Sequence, residues 1–179
     1  MNKISLLVLA LVIVTSCQNE KSLQQFIVNQ QEKSEIISFD LPASMLSLQE
    51  NMQSSENIKT LKTIKKANIL VFKINDLNKE IYLTEKEQLR NILKQQKYAE
   101  LMRFGKGSKG AKVHMVGSDD AIDELIVFAN DDELGWLLVR ILGSNMQPEK
   151  IMQIINKMDF DNSDLDLSKL KDILSNESL

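Results

Sequence analysis

The sequence is poor in the residues that most often build reactive or cross-linked sites. Its 179 residues include one cysteine, one histidine, two prolines and six glycines. A lone cysteine excludes an internal disulfide framework, and one cysteine with one histidine leaves too few ligands for most transition-metal sites built on thiolate and imidazole. The net charge of −3 gives no electrostatic basis for nucleic-acid binding. We therefore expect no cofactor and no nucleic-acid partner.

Motifs of nucleophilic and nucleotide-dependent enzymes are also missing. The sequence has no Gly-x-Ser-x-Gly elbow, no dinucleotide-binding glycine pattern and no Cys–His pair. The glycine-rich run at 105–110 lacks the spacing of a P-loop and precedes a strand, so it indicates a hairpin. Alternation places His114 on the solvated face of its strand, where it is either polar cover or an isolated general base. These features predict a protein that is not an enzyme.

The amino terminus has the composition of a secretory signal. Lys3 precedes an eleven-residue segment, Ile4–Val14, that is apolar except for Ser5. Such a run rises only about 16 Å as a helix, whereas the hydrocarbon core of a bilayer is roughly 30 Å thick. The segment is therefore too short for a lasting span, and it predicts a signal peptide over residues 1–16.

Residues 14–17, Val-Thr-Ser-Cys, resemble the bacterial lipobox, in which an aliphatic residue and two small residues precede cysteine. The resemblance implies diacylglyceryl transfer to the sulfur of Cys17, cleavage between Ser16 and Cys17, and acylation of the new amino terminus with palmitate or a similar chain. Several acyl chains, at about 0.8 kcal/mol per buried methylene, hold a protein firmly to a membrane. Cleavage removes one lysine and no acidic residue, so the net charge changes from −3 to −4. The lack of Asp after Cys17 favours the outer membrane, on either its periplasmic or its external side.

The rest of the chain predicts one α+β domain. Helical spacing of apolar residues predicts helices over 21–34, 43–52, 54–66 and 84–97 and from 148 onward, and alternation predicts strands over 35–41 and 67–74. Four further strands, 98–104, 111–117, 122–129 and 135–142, are joined by short turns and should form an antiparallel meander. We expect an antiparallel sheet of about five to six strands, with helices packed mainly on one face.

The domain organisation follows from these assignments. Residues 1–16 form the signal peptide, 17–22 a lipidated tether, 23–158 the α+β domain, and 159–179 an acidic extension with a short helix near its end. The acidic residues of the extension do not match the EF-hand pattern, so an EF-hand is excluded. The extension is then either a solvated acidic loop or a weak calcium site of another kind.

Several segments resemble a family of small Bacteroidetes lipoproteins catalogued as domain of unknown function 4252. The resemblance covers about 21–158 and rests on Pro42 with the Ser-Met-Leu that follows at 44–46, and on the segments 64–72, 98–102 and 137–143. It implies an envelope location and an α+β fold, and it brings no catalytic residues.

The strand at 135–142 carries the candidate partner surface. Trp136, Leu138 and Leu142 share one face of this strand, and the opposite face is also apolar. The strand is therefore either covered by helices on both sides or leaves an apolar patch for a partner.

Taken together, the patterns predict a non-enzymatic binding or accessory module, held at the outer membrane by the lipid on Cys17 and interacting with an envelope protein. One alternative is a carrier of an apolar ligand such as a lipid, since the methionine-rich helices allow adaptable packing. A second alternative is a carboxylate-dependent hydrolase with paired Asp and Glu residues in a cleft.

Overall fold

The computed structural model of the chain describes residues 21–46 and 53–157. The predicted signal peptide, the lipobox with Cys17, the second half of the predicted helix 43–52 and the acidic extension lie outside the described residues. Along the chain the elements are α1 (Leu23–Gln31), β1 (Ile36–Pro42), α2 (Ala43–Leu46), α3 (Ser55–Leu61), β2 (Ile64–Lys73), α4 (Lys79–Leu93), β3 (Ala99–Lys106), β4 (Lys109–Ser118), β5 (Ala121–Asp131), β6 (Gly135–Met146) and α5 (Pro148–Lys157).

The six strands form one antiparallel sheet in the order β1-β2-β6-β5-β4-β3. The last four strands are consecutive neighbours, which confirms the predicted meander. β2 lies between β1 and β6, as its apolar character on both faces predicts. The α+β class and the antiparallel sheet are therefore confirmed.

Helices cover both faces of the sheet. On one face, here called the α1/α4 face, residues of α1 and α4 pack on Leu70, Phe72, Trp136 and Leu138. On the opposite face, residues of α3 and α5 pack on the alternate positions of the same strands. This arrangement differs from the expected packing mainly on one face. The reason is that β2 and β6 are apolar on both sides, so each face has apolar area to remove from water.

Two helix boundaries also differ from the expectations. The predicted helix 54–66 is capped by Ser54 as expected but ends at Leu61, because Ile64 already pairs with Gly143 at the start of β2. Thr84, the first residue of the predicted helix 84–97, lies inside α4, which runs from Lys79 to Leu93. The hydroxyl of Thr84 donates to the carbonyl of Glu80 at 3.0 Å, as helix-interior threonines often do.

α1 lies within the predicted helix 21–34 and buries one stripe, formed by Leu23, Phe26, Ile27 and Gln30. Ser22 caps the helix: its hydroxyl accepts from the backbone N–H of Gln25, and the Gln25 side chain accepts from the backbone N–H of Ser22, both at 3.1 Å. Just before the cap, the carbonyl of Lys21 accepts from Nε2 of Gln95 at 3.1 Å. The point where the chain enters the domain is thus fixed beside the end of α4.

Across the described ranges, no helix has both the length and the apolar character of a membrane crossing.

Candidate functional site

The sequence-predicted partner surface is part of the core. Trp136 and Leu138 have no exposed surface, and Leu142 is only partly exposed. The Trp136 ring lies between Phe26 of α1 and Phe72 of β2, with ring centroids 6.1 and 5.8 Å away. Of the two alternatives for this strand, coverage by helices is correct and the exposed patch is wrong, because α1 and α4 fold over this face of β6.

The prediction for His114 is also wrong. Alternation correctly places it on the same face as Lys112, but that face lies under α4 and His114 is only 4% exposed. Its Nδ1 is 3.4 Å from the backbone carbonyl of Tyr98. Burial lowers the pKa of His114, so the ring is neutral near pH 7.

The hydrogen bond to Tyr98 fixes which ring nitrogen carries the proton. A carbonyl only accepts, so Nδ1 of His114 donates to it and Nε2 keeps its lone pair. Nε2 is buried and has no hydrogen-bond partner among the residues that the structure describes. Because a buried polar atom without a partner costs free energy, a ligand donor that reached this nitrogen would remove that cost.

His114 lines a cleft of about 590 Å³ between the second half of α4 and strands β3–β5. This His114 cleft has a size typical of small-ligand sites. Its lining contains four basic, two acidic, one imidazole and three apolar or aromatic side chains: Arg90, Lys94, Arg103, Lys112, Glu87, Glu100, His114, Leu93, Tyr98 and Phe128.

The cations of the cleft are only partly neutralised. Glu100 accepts two hydrogen bonds from Arg103 at 2.9 Å and one from Lys112 at 3.0 Å. These bonds lower the pKa of Glu100 to about 2, so it remains a carboxylate at neutral pH. Glu87 is 3.9 Å from the ammonium of Lys94. Arg90 has no carboxylate within ion-pair distance in the described part of the chain.

A polar contact at the other end of α4 holds this helix over the sheet. The hydroxyl of Tyr82 and the ammonium of Lys86 both donate to Oδ1 of Asp132, each at 2.6 Å. Burial, together with Asp132, raises the pKa of Tyr82, so its hydroxyl remains a donor. Lys86 also lies 4.9 Å from the centroid of the Tyr82 ring. Asp132 is in the β5–β6 turn, so these contacts join the first half of α4 to the sheet.

A second polar contact joins α4 to α1. The carboxylate of Glu85, which is 6% exposed, accepts hydrogen bonds from Gln30 of α1 and from Lys33 just beyond it. A buried carboxylate needs such partners to offset its lost hydration. α1 and α4 are thus fixed to each other as well as to the sheet, and the roof of the His114 cleft is a well-supported helix.

The chemistry available in the cleft is binding through fixed charges and one neutral acceptor. None of its lining residues is Ser, Thr or Cys, so the cleft offers no side-chain nucleophile of those types. Within 21–46 and 53–157, no group of three or more His, Cys, Asp and Glu side chains is placed to hold a metal ion.

The fold and the cleft define an α+β protein with a six-stranded antiparallel sheet between helices. Residues 29–154 match the family described as domain of unknown function (DUF4252), and the chain belongs to that family. The expected resemblance over about 21–158 is therefore confirmed. No curated protein matches the chain, and neither does any solved structure.

Proposed function

We propose that the protein is a non-enzymatic binding module of the bacterial cell envelope, anchored to the outer membrane by lipid on Cys17. The observation that carries the binding role is the His114 cleft, where cations in excess of carboxylates surround a buried imidazole nitrogen that lacks a partner. The lipobox resemblance at residues 14–17 supports the anchor.

The charge state of Glu100 favours binding over hydrolysis. A carboxylate-dependent hydrolase needs a carboxyl group that donates a proton near its working pH. Arg103 and Lys112 lower the pKa of Glu100 to about 2, which makes this group a poor proton donor. The same bonds fix the positions of both cations, which suits recognition of a charged ligand.

The packing of the sheet gives no particular support to the apolar-carrier alternative. Trp136, Phe72 and Leu138 are completely buried against α1 and α4. The cleft beside them is lined by six charged side chains, whereas sites for apolar ligands are lined mainly by apolar groups.

The chain geometry is consistent with an anchor close to the domain. Lys21 is already held by Gln95, so only four residue steps separate the acylated Cys17 from the folded body. Four steps reach at most about 14 Å. A lipid on Cys17 would hold the amino-terminal end of α1 and the carboxyl-terminal end of α4 against the membrane.

Labelling cells with radioactive palmitate tests the anchor. We expect label in the wild-type protein and in Asn19→Ser, a control beyond the lipobox, and recovery of both with the outer membrane. Cys17→Ser should carry no label and should leave the membrane fraction. Unlabelled wild-type protein, with Cys17→Ser fractionating unchanged, would refute the anchored function.

A further inference from the structure

We propose that the His114 cleft binds a polyol phosphate, with the phosphate held by Arg90, Lys94 and Lys112 and a ligand hydroxyl donating to Nε2 of His114. This inference deepens the proposed function and rests on its claim that the protein is a binding module. The polyol phosphate is either the headgroup of a membrane lipid or a free small molecule.

The charges of the cleft indicate an anion. Four basic side chains and two carboxylates line it, and Glu100 uses Arg103 and one donor of Lys112. Lys112 has two further ammonium donors. Lys94 donates to Asn91 at 3.1 Å and lies 3.9 Å from Glu87, which leaves it two further donors as well. Arg90 has a full guanidinium fork without an ion-pair partner in the described ranges. A guanidinium with two lysines is a common arrangement for a phosphate.

The imidazole requires a different group on the same ligand. Nε2 of His114 is an acceptor, because Nδ1 donates to the Tyr98 carbonyl. A fully ionised phosphate has only acceptor oxygens and cannot satisfy it. A hydroxyl can donate to Nε2, so a ligand with both a phosphate and a hydroxyl satisfies the cations and the imidazole together.

The position of the cleft favours a ligand at the membrane surface. Lys94 lines the cleft, and the next residue, Gln95, bonds to Lys21 where the tether enters the domain. Lys97 follows, with its ammonium 4.9 Å from the centroid of the Tyr98 ring. The basic edge of the cleft is therefore at the end of the domain that the lipid on Cys17 would bring closest to phosphorylated headgroups.

Binding of glycerol 3-phosphate and inorganic phosphate by the mature chain, residues 17–179 with Cys17→Ser, tests the inference by calorimetry. We expect glycerol 3-phosphate to bind more tightly than inorganic phosphate, because its carbon-bound hydroxyls can reach Nε2 while its phosphate stays on the cations, whereas the hydroxyls of inorganic phosphate are on the phosphorus that the cations hold. Equal affinity for both, or no binding of either, would overturn the proposal.

Substitutions that remove a positive or a negative charge test whether the anion binds in the His114 cleft. Arg90→Gln should weaken glycerol 3-phosphate binding about tenfold, the loss expected for one charge-assisted contact. Glu100→Gln should strengthen it, because the change removes a negative charge and releases Arg103 and Lys112. Lys65→Gln, on β2 and separated from β4 by two strands, makes the same charge change as Arg90→Gln and should have no effect. Equal effects of Arg90→Gln and Lys65→Gln, or an unchanged affinity in Glu100→Gln, would place the anion outside the cleft.

His114→Gln tests the imidazole contact. Its amide keeps a polar group at the site, and circular dichroism establishes that the variant folds. We expect it to lose the preference for glycerol 3-phosphate over inorganic phosphate while still binding both. An unchanged preference in the folded variant would refute the role of Nε2.

Vesicles separate the two sources of the ligand. Phosphatidylcholine vesicles containing phosphatidylglycerol present the phosphoglycerol headgroup, and vesicles containing phosphatidic acid present phosphate without a polyol. Binding to phosphatidylglycerol above phosphatidic acid, lost in Arg90→Gln, supports a lipid headgroup; binding only to free glycerol 3-phosphate supports a soluble ligand. Equal binding to both lipids, unaffected by Arg90→Gln, would overturn the inference. These measurements use unlipidated protein, so they are independent of the palmitate test of the anchor.

Discussion

At Gly135 the β5–β6 turn approaches β2 so closely that no side chain fits. Its φ is +130°, a conformation that L side chains rarely adopt, and a Cβ there would overlap the backbone carbonyl of Phe72. The neighbouring backbone is held by the hydrogen bond from the N–H of Ile74 to the carbonyl of Leu134 at 3.0 Å. The requirement for glycine thus comes from both conformation and space.

Replacing this glycine should therefore cost more than backbone strain alone. We expect Gly135→Ala to lower the free energy of unfolding by about 3 kcal/mol or more, since the β2 backbone must also move. Gly107→Ala is the matched control: its φ is +68° but nothing lies within 4 Å of an added Cβ, so it should cost only about 1 kcal/mol. Urea unfolding measures both, and equal losses would contradict the steric argument.

Glu100 predicts a pH dependence of stability. Its pKa falls from 4.5 to about 2 on folding, so its contribution is fully present above pH 4.5 and is lost as the pH falls from about 4.5 to about 2. The urea concentration at the unfolding midpoint should fall as the pH is lowered below about 4.5, and this fall should be shallower in Glu100→Gln. The change should be modest, because the pair with Arg103 is accessible to solvent.

Arg103→Gln is the reciprocal test of that prediction. The substitution removes the largest cause of the lowered pKa of Glu100. The fall of the urea midpoint with decreasing pH should therefore be shallower than in the wild type, as in Glu100→Gln. If both variants keep the wild-type decline, the ion pair does not control the acid stability.

His114 illustrates what residue-level reasoning could reach. Alternation along its strand identified its neighbours on the same face correctly. It could not identify what covers that face, because the cover is supplied by α4, which begins 35 residues earlier. Burial of His114 is therefore a tertiary property that a strand pattern does not contain.

At the scale of elements, the protein has an internal reporter of helix docking. Trp136 is the single tryptophan and is completely buried between Phe26 of α1 and Phe72 of β2. Its fluorescence should therefore respond to the docking of α1 in particular.

Phe26→Ala should open this contact. We expect a loss of about 3–5 kcal/mol in the free energy of unfolding and a red shift of the Trp136 emission, because water gains access to the indole. Val28→Ala on the same helix is the control, since Val28 is 46% exposed and should change stability by no more than about 0.5 kcal/mol. A red shift in the control, or none in Phe26→Ala, would contradict the packing described here.

Strands were easier to predict than helix ends. The four meander strands follow from alternation interrupted by turn-forming residues, and both cues are local. The end of α3 is not local: Ile64 fits the helical spacing after Leu61, and only its pairing with Gly143, far along the chain, makes it a strand residue. The start of α4 was missed although its signal is local: the preceding turn is stabilised by Asn78, whose side chain accepts from the backbone N–H of Asn75 at 2.8 Å.

At the scale of the whole molecule, net charge conceals the candidate site. The acidic total of −3 gave no indication of a basic cleft. The cleft draws its cations from α4 and the residue that follows it, and from β3 and β4. The stretch 103–112 holds four basic residues and no acidic one, but only Arg103 and Lys112 of these line the cleft. Its composition becomes visible only when α4 is placed over the meander.

The length of the tether yields a prediction for the anchored protein. In vesicles with dansyl-labelled headgroups, energy transfer from Trp136 should fall when about ten Gly/Ser residues are inserted after Asn19, since they add roughly 17 Å of reach. Recovery with the membrane should not change. The same insertion after Gly107, in the β3–β4 hairpin, enlarges the protein without lengthening the tether and should leave the transfer unchanged. Equal transfer in all three proteins would contradict a domain held close to the bilayer.

The position of β6 in the sheet has a consequence for synthesis. β6 is the partner of both β2 and β5, yet among the strands in the described ranges it is the last to leave the ribosome. Until it emerges, the long inner edge of β2 has no neighbour, and an unpaired apolar edge invites association with other chains. The sheet cannot close until residues 135–146 have been synthesised. The nascent chain therefore stays incompletely folded for most of its translation, and during that time it needs protection from association with other chains.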